Sequence, residues 1–274
     1  MFNQLEIITK EQIEKLTLLR GYIKSLKTAC IAYSGGVDSA LVAAITFEQL
    51  EGKAIAITGV SPALANHLLE EARRQAKWIG INHIEVDTHE LENDSYSSNP
   101  EDRCFACKKE LHKQTSYISE KLKYKNILDG VNFDDLSDYR PGIKASQKAG
   151  VLSPLALFKF SKQDIRDISK SLGFPWWDKP AQPCLSSRFP YGYHITFDRL
   201  KMIEAGEAYI REIGIQEVRV RCQGTSARIE IPADEIKGFI NNQNRDELLN
   251  HFFKIGFKSV SLDLEGLISG KLNR

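Results

Sequence analysis

Residues 31–41, Ile-Ala-Tyr-Ser-Gly-Gly-Val-Asp-Ser-Ala-Leu, constrain the fold more than any other stretch of the chain. An apolar run ends abruptly at Ser34, Gly35 and Gly36, and an amphipathic helical pattern starts at Val37. This order predicts a buried strand, a tight glycine turn and a helix N-terminus. The unpaired N–H groups and positive dipole end of a helix attract anions, and glycines let a phosphate approach the backbone closely. The turn is therefore a candidate phosphate site.

The side chains around this turn refine the expected ligand. Ser34 and Ser39 add hydroxyl donors, whereas the carboxylate of Asp38 suits a magnesium ion beside polyphosphate better than it suits phosphate itself. A bare Ser-Gly-Gly is typical of a capped turn in any α/β protein, but the complete motif after a buried strand indicates nucleotide binding. It lacks the Gly-Lys-Ser/Thr ending of a Walker A loop. It resembles instead the PP-loop of the ATP pyrophosphatases, which cleave ATP between its α and β phosphates and adenylate a substrate.

Short apolar runs alternate with amphipathic segments over the N-terminal part of the chain. Strands are predicted at 29–33, 53–59, 84–87 and 124–130, and helices at 9–27, 37–50, 63–79, 161–172 and from after residue 108 to about 123. This alternation predicts an α/β fold with a parallel sheet flanked by helices, and the PP-loop resemblance implies the adenine nucleotide alpha hydrolase-like type. Thr9 and Gln12 form a predicted capping box, and residues 89–102 are predicted to be a loop.

Polar residues follow two of the predicted strands, and ligands of parallel sheets bind beyond the carboxyl ends of the strands. Thr58 lies at the end of the second strand and Gly130 at the end of the fourth, and Asp134, Asp135 and Asp138 come next in the chain. These carboxylates could equally be helix caps or solvated charges. Their position makes them candidates for magnesium or substrate contacts.

The pattern changes after an irregular, Pro- and Gly-rich segment at 176–193. We predict a PP-loop domain at 1–190 and a smaller C-terminal α+β domain at 191–274 for substrate binding and oligomerisation. The second domain has predicted helices at 197–213, 233–240 and 245–255, and predicted strands at 217–221, 227–231 and 258–264. Residues 223–225 predict a hairpin turn between the first two of these strands.

The bulk composition excludes some classes of function. The 274 residues carry a formal net charge of +1, which argues against a nucleic-acid partner. No apolar run approaches the roughly 18 residues of a membrane span, so no membrane association is expected. The first residues lack the pattern of a signal peptide. Because five cysteines, an odd number, suit a reducing compartment, we expect a cytoplasmic protein.

Three cysteines are candidates for chemistry. Cys104 and Cys107 form a Cys-x-x-Cys that could be redox-active, a metal half-site or accidental, and there is no second such pair to complete a zinc site. His112, in the predicted helix that follows, is expected to be a surface or core histidine. Cys184 lies near Arg188 on an irregular loop, where a lowered pKa could make its thiol nucleophilic; the alternative is a small packed residue.

The remaining cysteines and one arginine pair complete the candidates. Cys30 lies within the first predicted strand and Cys222 at the end of a later one, so both are expected to be structural. Arg219 and Arg221 are two residues apart on one strand and share a face. They could grip a phosphate with their forked guanidinium groups, or they could form a solvated sheet face.

The motifs taken together resemble one family. The matching segments, in chain order, are residues 34–39, Arg103-Cys104-x-x-Cys107-Lys108, Asp129-Gly130-x-Asn132-x-Asp134-Asp135-x-x-Asp138-Tyr139-Arg140-Pro141-Gly142, and Pro183-Cys184-Leu185-x-Ser187-Arg188-Phe189-Pro190-Tyr191-Gly192. They resemble the LarE family of ATP-dependent sulfurtransferases, which act in nickel-pincer nucleotide biosynthesis and supply the cofactor of lactate racemase. The likeness continues through Val218-Arg219-Val220-Arg221 to Ser269-Gly270-Lys271-Leu272-Asn273.

The resemblance implies a reaction. The substrate would be pyridinium-3,5-biscarboxylic acid mononucleotide, whose carboxylate is adenylated by ATP with magnesium present. A sulfur nucleophile then displaces AMP, giving a thiocarboxylate, AMP and pyrophosphate. Site residues carried over from the family are Arg219 and Arg221 for the substrate phosphate, with Glu207, Glu230 and Ser187 at further site positions.

The resemblance also implies a sulfur source. Family members with three cysteines that resemble Cys104, Cys107 and Cys184 bind a [4Fe–4S] cluster that carries an extra sulfide, and thiolates are the usual ligands of such clusters. In other members the cysteine equivalent to Cys184 gives up its own sulfur. We expect the cluster type here, with an iron–sulfur or sulfide donor as partner and a homo-oligomeric assembly.

Other functions stay open on the residues alone. A PP-loop tRNA thiolase can also use three cysteines and a cluster, although the near-neutral charge counts against tRNA binding. An amidating synthetase would leave Cys104 and Cys107 unexplained. A nucleotide-binding regulator without catalysis would release no pyrophosphate with any carboxylate.

Overall fold

The computed structural model describes residues 6–137, 140–242, 244–268 and 270–271, and these form two compact units. The first unit comprises Met1–Glu90 and Asp102–Gln182, and the second comprises Leu91–Glu101 and Pro183–Arg274. Asp138 and Tyr139, and Ser269, Leu272 and Asn273 of the closing motif, lie outside the described residues. The domain boundary predicted after residue 190 stays a prediction.

Helices and strands alternate along the first unit. Its helices are α1 (Lys10–Leu26), α2 (Val37–Leu50), α3 (Asn66–Ile79), α5 (Arg103–Leu122), α6 (Pro141–Lys148), α7 (Pro154–Leu157) and α8 (Lys162–Ser171), and its strands are β1 (Ala29–Ala32), β2 (Ala54–Val60), β3 (Asn82–Asp87) and β4 (Ile127–Leu128). The second unit contains α4 (Asp94–Ser97), α9 (Phe197–Glu212), α10 (Ile236–Asn242), α11 (Arg245–Lys254), β5 (Arg219–Gln223), β6 (Ser226–Glu230) and β7 (Ser259–Leu262). No helix within the described ranges is long and apolar enough to cross a membrane.

The first unit is built on a four-stranded sheet in the order β3-β2-β1-β4. All three pairings are parallel, and every residue of β1 is buried. Continuous apolar strands of this kind need helices on the sheet faces, since neither face can meet water. The predicted α/β fold, a parallel sheet flanked by helices, is confirmed.

Helix ends follow the expected capping chemistry. The N–H of Gln12 donates to Thr9 Oγ1 (3.2 Å), and the N–H of Thr9 donates to Gln12 Oε1 (3.0 Å), so the predicted capping box of α1 is confirmed. A second box, Ser161 with Asp164, opens α8. Asp164 also accepts a hydrogen bond from Lys15 Nζ (2.8 Å), which ties the start of α8 to α1.

Several predicted boundaries were wrong. The strand predicted at 124–130 shrinks to β4, which pairs with β1 only at Ile127 and Leu128 and meets Leu152 on its other side in a single isolated bridge. Pro141 and Gly142, expected to continue the loop after the fourth strand, begin α6 instead, because Pro141 occupies the first turn, where a missing N–H does no harm. The loop predicted at 89–102 contains α4, whose start is capped by Asn93.

The second unit contains a separate three-stranded sheet in the order β5-β6-β7. Strands β5 and β6 form the predicted antiparallel hairpin, and β7 joins β6 in parallel. The residues of one face are apolar and buried, namely Val220, Cys222, Ala227 and Ile229. The opposite face carries Arg219, Arg221, Arg228 and Glu230. The predicted α+β character of this part is confirmed.

Three groups expected to be structural are buried. Burial raises the pKa of the Cys30 thiol and of the Cys222 thiol, so both stay protonated. His112 is 1% exposed and shares a 2.8 Å hydrogen bond with Ser146 Oγ. Burial lowers the pKa of His112 to about 4, with a smaller contribution from the charge of Lys108. This histidine is a neutral core residue.

Substitution of Gly130 tests how closely the main chain packs beneath the glycine turn. A Cβ at Gly130 would lie 2.7 Å from the backbone nitrogen of Ser39 and 2.9 Å from its Cα. We therefore expect Gly130→Ala to lower the free energy of unfolding by about 1–3 kcal/mol in urea titrations. Gly21→Ala is the control, because nothing lies within 4 Å of that Cβ inside α1. It should be neutral or stabilising by up to ~1 kcal/mol, and equal losses in both variants would contradict this packing.

Candidate active site

The glycine turn leaves the start of α2 open. Gly35 has a φ of +70°, and a Cβ there would lie 3.0 Å from the Cβ of Ala72. Gly36 is the N-cap of α2, and no side chain hydrogen-bonds to this helix end as a cap. The first N–H groups of α2 therefore lack the side-chain acceptor that usually satisfies them.

Two serines fix the shape of the turn. The hydroxyl of Ser39 donates to the carbonyl of Gly36 (3.0 Å), and the N–H of Ser34 donates to Ser39 Oγ (3.2 Å). The two serine hydroxyls share a further hydrogen bond of 3.1 Å. Ser34 is exposed and Ser39 is buried, so Ser34 is the hydroxyl available to a ligand. The predicted nucleotide-binding residues of the turn thus lie together.

Asp38 lies in the first turn of α2 with both carboxylate oxygens engaged. Oδ1 accepts a hydrogen bond from Asn132 Nδ2 (3.1 Å), and Oδ2 accepts one from Lys162 Nζ (2.5 Å). The N–H of Lys162 also donates to Asp134 Oδ2 (2.7 Å). The loop after β4 and the start of α8 therefore meet at this carboxylate.

Asp135 forms a second carboxylate near Asp38. Asn132 and Asp135 exchange two hydrogen bonds, of 3.2 and 3.0 Å, and Arg140 pairs with Asp135 Oδ1 at 2.8 Å. Burial raises the pKa of Asp135, and the negative charge of Asp38 adds to the increase. The N–H of Asn132 and the charges of Arg140 and Lys162 oppose it. Magnesium suits such a place, because it often binds one or two carboxylates together with substrate phosphates.

Thr58 and Gly130 contact residues next to the glycine turn. Thr58 is 3% exposed, and its hydroxyl contacts the carbonyl of Tyr33 (2.7 Å) and His83 Nε2 (2.8 Å). Gly130 packs against the backbone of Ser39. Both positions support the turn from below, and a direct contact of either with nucleotide stays a prediction.

Cys104 and Cys107 lie in the first turns of α5, on the first unit. Cys104 is exposed and Cys107 is half-buried. A Cβ at Gly142 of α6 would lie 3.6 Å from the carbonyl of Cys104, so α6 packs closely here. Two thiols one helical turn apart suit a soft metal or an iron–sulfur cluster. Within the part of the chain that the structure describes, no group of three or more His, Cys, Asp or Glu side chains is arranged to hold a metal ion.

Arg188 fixes the loop of Cys184, on the second unit. Its Nη1 donates to the carbonyls of Pro183 (2.8 Å) and Cys184 (3.1 Å) and to Ser187 Oγ (2.9 Å). Its Nε and Nη2 donate to Glu207 at 2.7 and 3.0 Å. The sequence places Arg188 near a thiol that could be nucleophilic; in the structure its donors go to two carbonyls, a hydroxyl and a carboxylate. Cys184 itself is half-buried.

Two buried glutamates anchor the arginines around this loop. Glu207 is 0% exposed and accepts from Arg188, from Arg211 Nη2 (2.9 Å) and from the N–H of Val220 (3.1 Å). The resemblance implies a site position for Glu207. In the structure Glu207 binds Arg188, and Arg188 donates to the carbonyl of Cys184.

Glu230 repeats the arrangement with a different arginine. It is 0% exposed and pairs with Arg221, whose Nε and Nη2 lie 2.9 and 2.8 Å from Oε2. Arg221 Nη1 in turn donates to the carbonyl of Ser187 (2.6 Å). The second arginine therefore also fixes the cysteine loop, so its guanidinium is largely committed to protein partners.

Arg219 differs from its neighbour. Burial lowers the pKa of Arg219, and the positive charges of Arg188 and Arg221 lower it further. No hydrogen bond joins its guanidinium to the residues that the structure describes. On the same sheet face lies a pocket of about 110 Å³, whose polar lining consists of Arg188, Arg221, Gln223, Ser226, Arg228 and Ser261. Such a surface suits an anion.

Comparison with known proteins assigns the family. A search of protein-family models found no match. The chain is 33% identical over 261 residues to the pyridinium-3,5-bisthiocarboxylic acid mononucleotide synthase of Lactiplantibacillus plantarum, a LarE protein, with 95% of this chain and 94% of that protein aligned. The chain belongs to the LarE family. It is also 51% identical over 260 residues to an uncharacterized protein of Synechocystis (95% and 97% aligned) and 34% identical over 256 residues to one of Methanocaldococcus jannaschii (92% and 97% aligned).

Two residues of the candidate site have contacts that the sequence did not indicate. Lys162 was not singled out, because its partner Asp38 is 124 positions away. The one sequence feature that could have indicated Lys162 is its position at the start of a capped helix that follows the loop after the fourth strand. Arg188 lay within a recognised motif, but its carbonyl contacts could not be read from the order of residues.

Removal of the Arg188 guanidinium tests its role in this LarE family member. Arg188→Met leaves Glu207 buried beside only one arginine, so we expect a loss of about 3–5 kcal/mol in the free energy of unfolding. Freed from its side chain, the loop should also expose Cys184 to faster alkylation by iodoacetamide, followed by peptide mass mapping. Arg199→Met is the control, since among the described residues the Arg199 guanidinium hydrogen-bonds only to the exposed carbonyl of His194, and the change should alter stability by less than ~0.5 kcal/mol. Unchanged Cys184 reactivity in Arg188→Met would contradict the positioning role.

Proposed function

We propose that the chain is an ATP-dependent sulfurtransferase that converts pyridinium-3,5-biscarboxylic acid mononucleotide into its thiocarboxylate. The observation that carries the proposal is the alignment of 95% of this chain with a protein named for making pyridinium-3,5-bisthiocarboxylic acid mononucleotide. That name contains two thiocarboxylic groups, so the proposed reaction runs once for each carboxylate.

The open glycine turn supports the activation step. A carboxylate oxygen of the substrate attacks the α-phosphorus of ATP, the bond to the bridging oxygen breaks, and pyrophosphate leaves. The proposed nucleotide contacts are the start of α2 and the Ser34 hydroxyl, where uncapped N–H groups meet polyphosphate. Asp38 and Asp135 are the proposed magnesium carboxylates. The metal would neutralise charge on the departing pyrophosphate.

The sulfur step follows from the mixed anhydride. A sulfide attacks the acyl carbon, the bond to the AMP oxygen breaks, and AMP leaves with that oxygen. We assign Cys104, Cys107 and Cys184 as ligands of a [4Fe–4S] cluster, and the thiol pair on α5 supports this donor set. When bound, the cluster would supply the sulfide that is transferred. In the alternative, Cys184 gives up its own sulfur.

The arginine-rich face of the second unit supports binding of the substrate's phosphate. Among the described residues, none forms a hydrogen bond with the Arg219 guanidinium. The neighbouring positive charges of Arg188 and Arg221 make its charged form unfavourable unless an anion binds. We assign Arg219 to the phosphate. Arg221 would contribute charge while it fixes the Ser187 carbonyl. In this proposal Glu207 and Glu230 position these groups, and the protein acts in the cytoplasm as a homo-oligomer.

The products test the reaction. Anaerobic incubation with ATP, magnesium and the biscarboxylic mononucleotide should give AMP and pyrophosphate in equal amounts, together with a product in which sulfur replaces oxygen by mass. Asp38→Asn should slow the release of pyrophosphate by about 10²–10³-fold, since it removes a charge at the metal. Asp178→Asn, a change at an exposed carboxylate, should not. If no AMP forms with this substrate, the proposed reaction is wrong. If AMP forms only with tRNA, the protein is better explained as a tRNA thiolase.

Reconstitution with iron and sulfide tests the sulfur source. The broad visible absorption of a cluster should develop anaerobically in the unmodified protein and in Cys222→Ala, whose thiol is buried. It should be lost in Cys104→Ala, because a ligand is missing. The intact mass after turnover then separates the two sources. An unchanged chain supports cluster-borne sulfide, whereas loss of sulfur from Cys184 would establish the sacrificial route.

A further inference from the structure

Lys162 occupies the position on Asp38 where a cation is expected. Its ammonium lies 2.5 Å from Asp38 Oδ2, while its N–H donates to Asp134 Oδ2 at 2.7 Å. The capping box of Ser161 and Asp164 fixes the backbone at this point. The main chain of Lys162 is therefore anchored, whereas its side chain is 35% exposed and has room to turn.

The ammonium and a metal ion would compete for the same oxygen. Oδ1 of Asp38 accepts a hydrogen bond from Asn132 at 3.1 Å, so a metal that uses Oδ2 competes directly with the ammonium. Asp135, the neighbouring carboxylate, already pairs with Arg140 at 2.8 Å. Two cations on one carboxylate oxygen repel each other strongly at this range. Lys162 must then leave Asp38 before magnesium binds there.

Polyphosphate offers the displaced ammonium a new partner. The start of α2, to which Asp38 belongs, has no side-chain cap, so phosphate bound there would lie within the reach of a flexible four-carbon side chain. An ammonium is a compact charge that suits the oxygens of a departing pyrophosphate.

We propose that Lys162 is the counter-ion of Asp38 in the nucleotide-free protein and transfers to the polyphosphate of ATP when the magnesium–ATP complex binds. The exchange rests on the proposed function, because it assumes that ATP binds at the turn. It makes metal binding without nucleotide unfavourable, so magnesium enters together with ATP. Lys162 then stabilises the pyrophosphate as it leaves.

Manganese binding without nucleotide, followed by electron paramagnetic resonance, tests the first half of the exchange. Lys162→Met should bind manganese roughly tenfold more tightly than the unmodified protein, because the competing charge is gone. Lys162→Arg retains the charge and should bind as weakly as the unmodified protein. Lys170→Met, at the other end of α8 and paired with Glu6, is the control and should cause no change.

Pyrophosphate release tests the second half. Lys162→Met should lower kcat by about 10²-fold, with Lys162→Arg restoring part of the loss. A merely structural lysine would weaken metal binding and kcat together, so the opposite directions in Lys162→Met identify the exchange. Unchanged or weaker manganese binding in Lys162→Met would overturn it.

The two proposals fail separately. The manganese measurement uses neither ATP nor the pyridinium substrate, so it judges Lys162 even where no thiocarboxylate forms. If pyrophosphate release is absent in the unmodified protein while Lys162→Met binds manganese more tightly, the counter-ion role stands and the proposed reaction is wrong. A melting temperature for each variant shows that the comparison is made on folded protein.

Discussion

Close packing of two glycines is the constraint on which the candidate nucleotide site depends. Gly35, in a left-handed conformation, packs against Ala72, and Gly130 packs against the backbone of Ser39 at a distance that no Cβ could share. The first contact places the turn after β1 against α3, and the second places the end of β4 against the first turn of α2. As a result the N–H groups of that turn stay uncapped, and Asp38 faces the loop that follows β4.

In the second unit, the loop of Cys184 is held by buried ion pairs. Glu207 and Glu230 are fully buried, and each pairs with an arginine whose other donors fix carbonyl groups near Cys184. Burying a carboxylate is unfavourable unless its oxygens accept hydrogen bonds, and here the arginines donate hydrogen bonds to both glutamates. The buried ion pairs therefore hold the arginines in place, and the arginines in turn fix the conformation of the Cys184 loop. One arginine, Arg219, is left without such a partner among the described residues, and for that reason it can serve an anion.

Local signals predicted the elements well and their ends less well. The capping box of Thr9 and Gln12 appears as the sequence indicates, because it depends only on residues three apart. The strand around residues 124–130 is short, since it pairs with β1 at only two residues and with Leu152 in one isolated bridge, and no local pattern reveals these partners. Helix α6 was missed because Pro141 and Gly142 are typical turn residues. Here proline occupies the permissive first turn and glycine allows close contact with α5.

The sequence by itself determined the order of strand, glycine turn and helix, the parallel sheet and the types of residue that carry chemistry. Apolar periodicity and glycine conformation are local properties, so they can be read along the chain. Only the tertiary structure decided which groups meet. Lys162 reaches Asp38 across 124 positions, and Arg188 donates to the carbonyl of Cys184 and to Glu207. Such pairings arise because a buried charge must find a partner in space, and the partner's place along the chain does not matter.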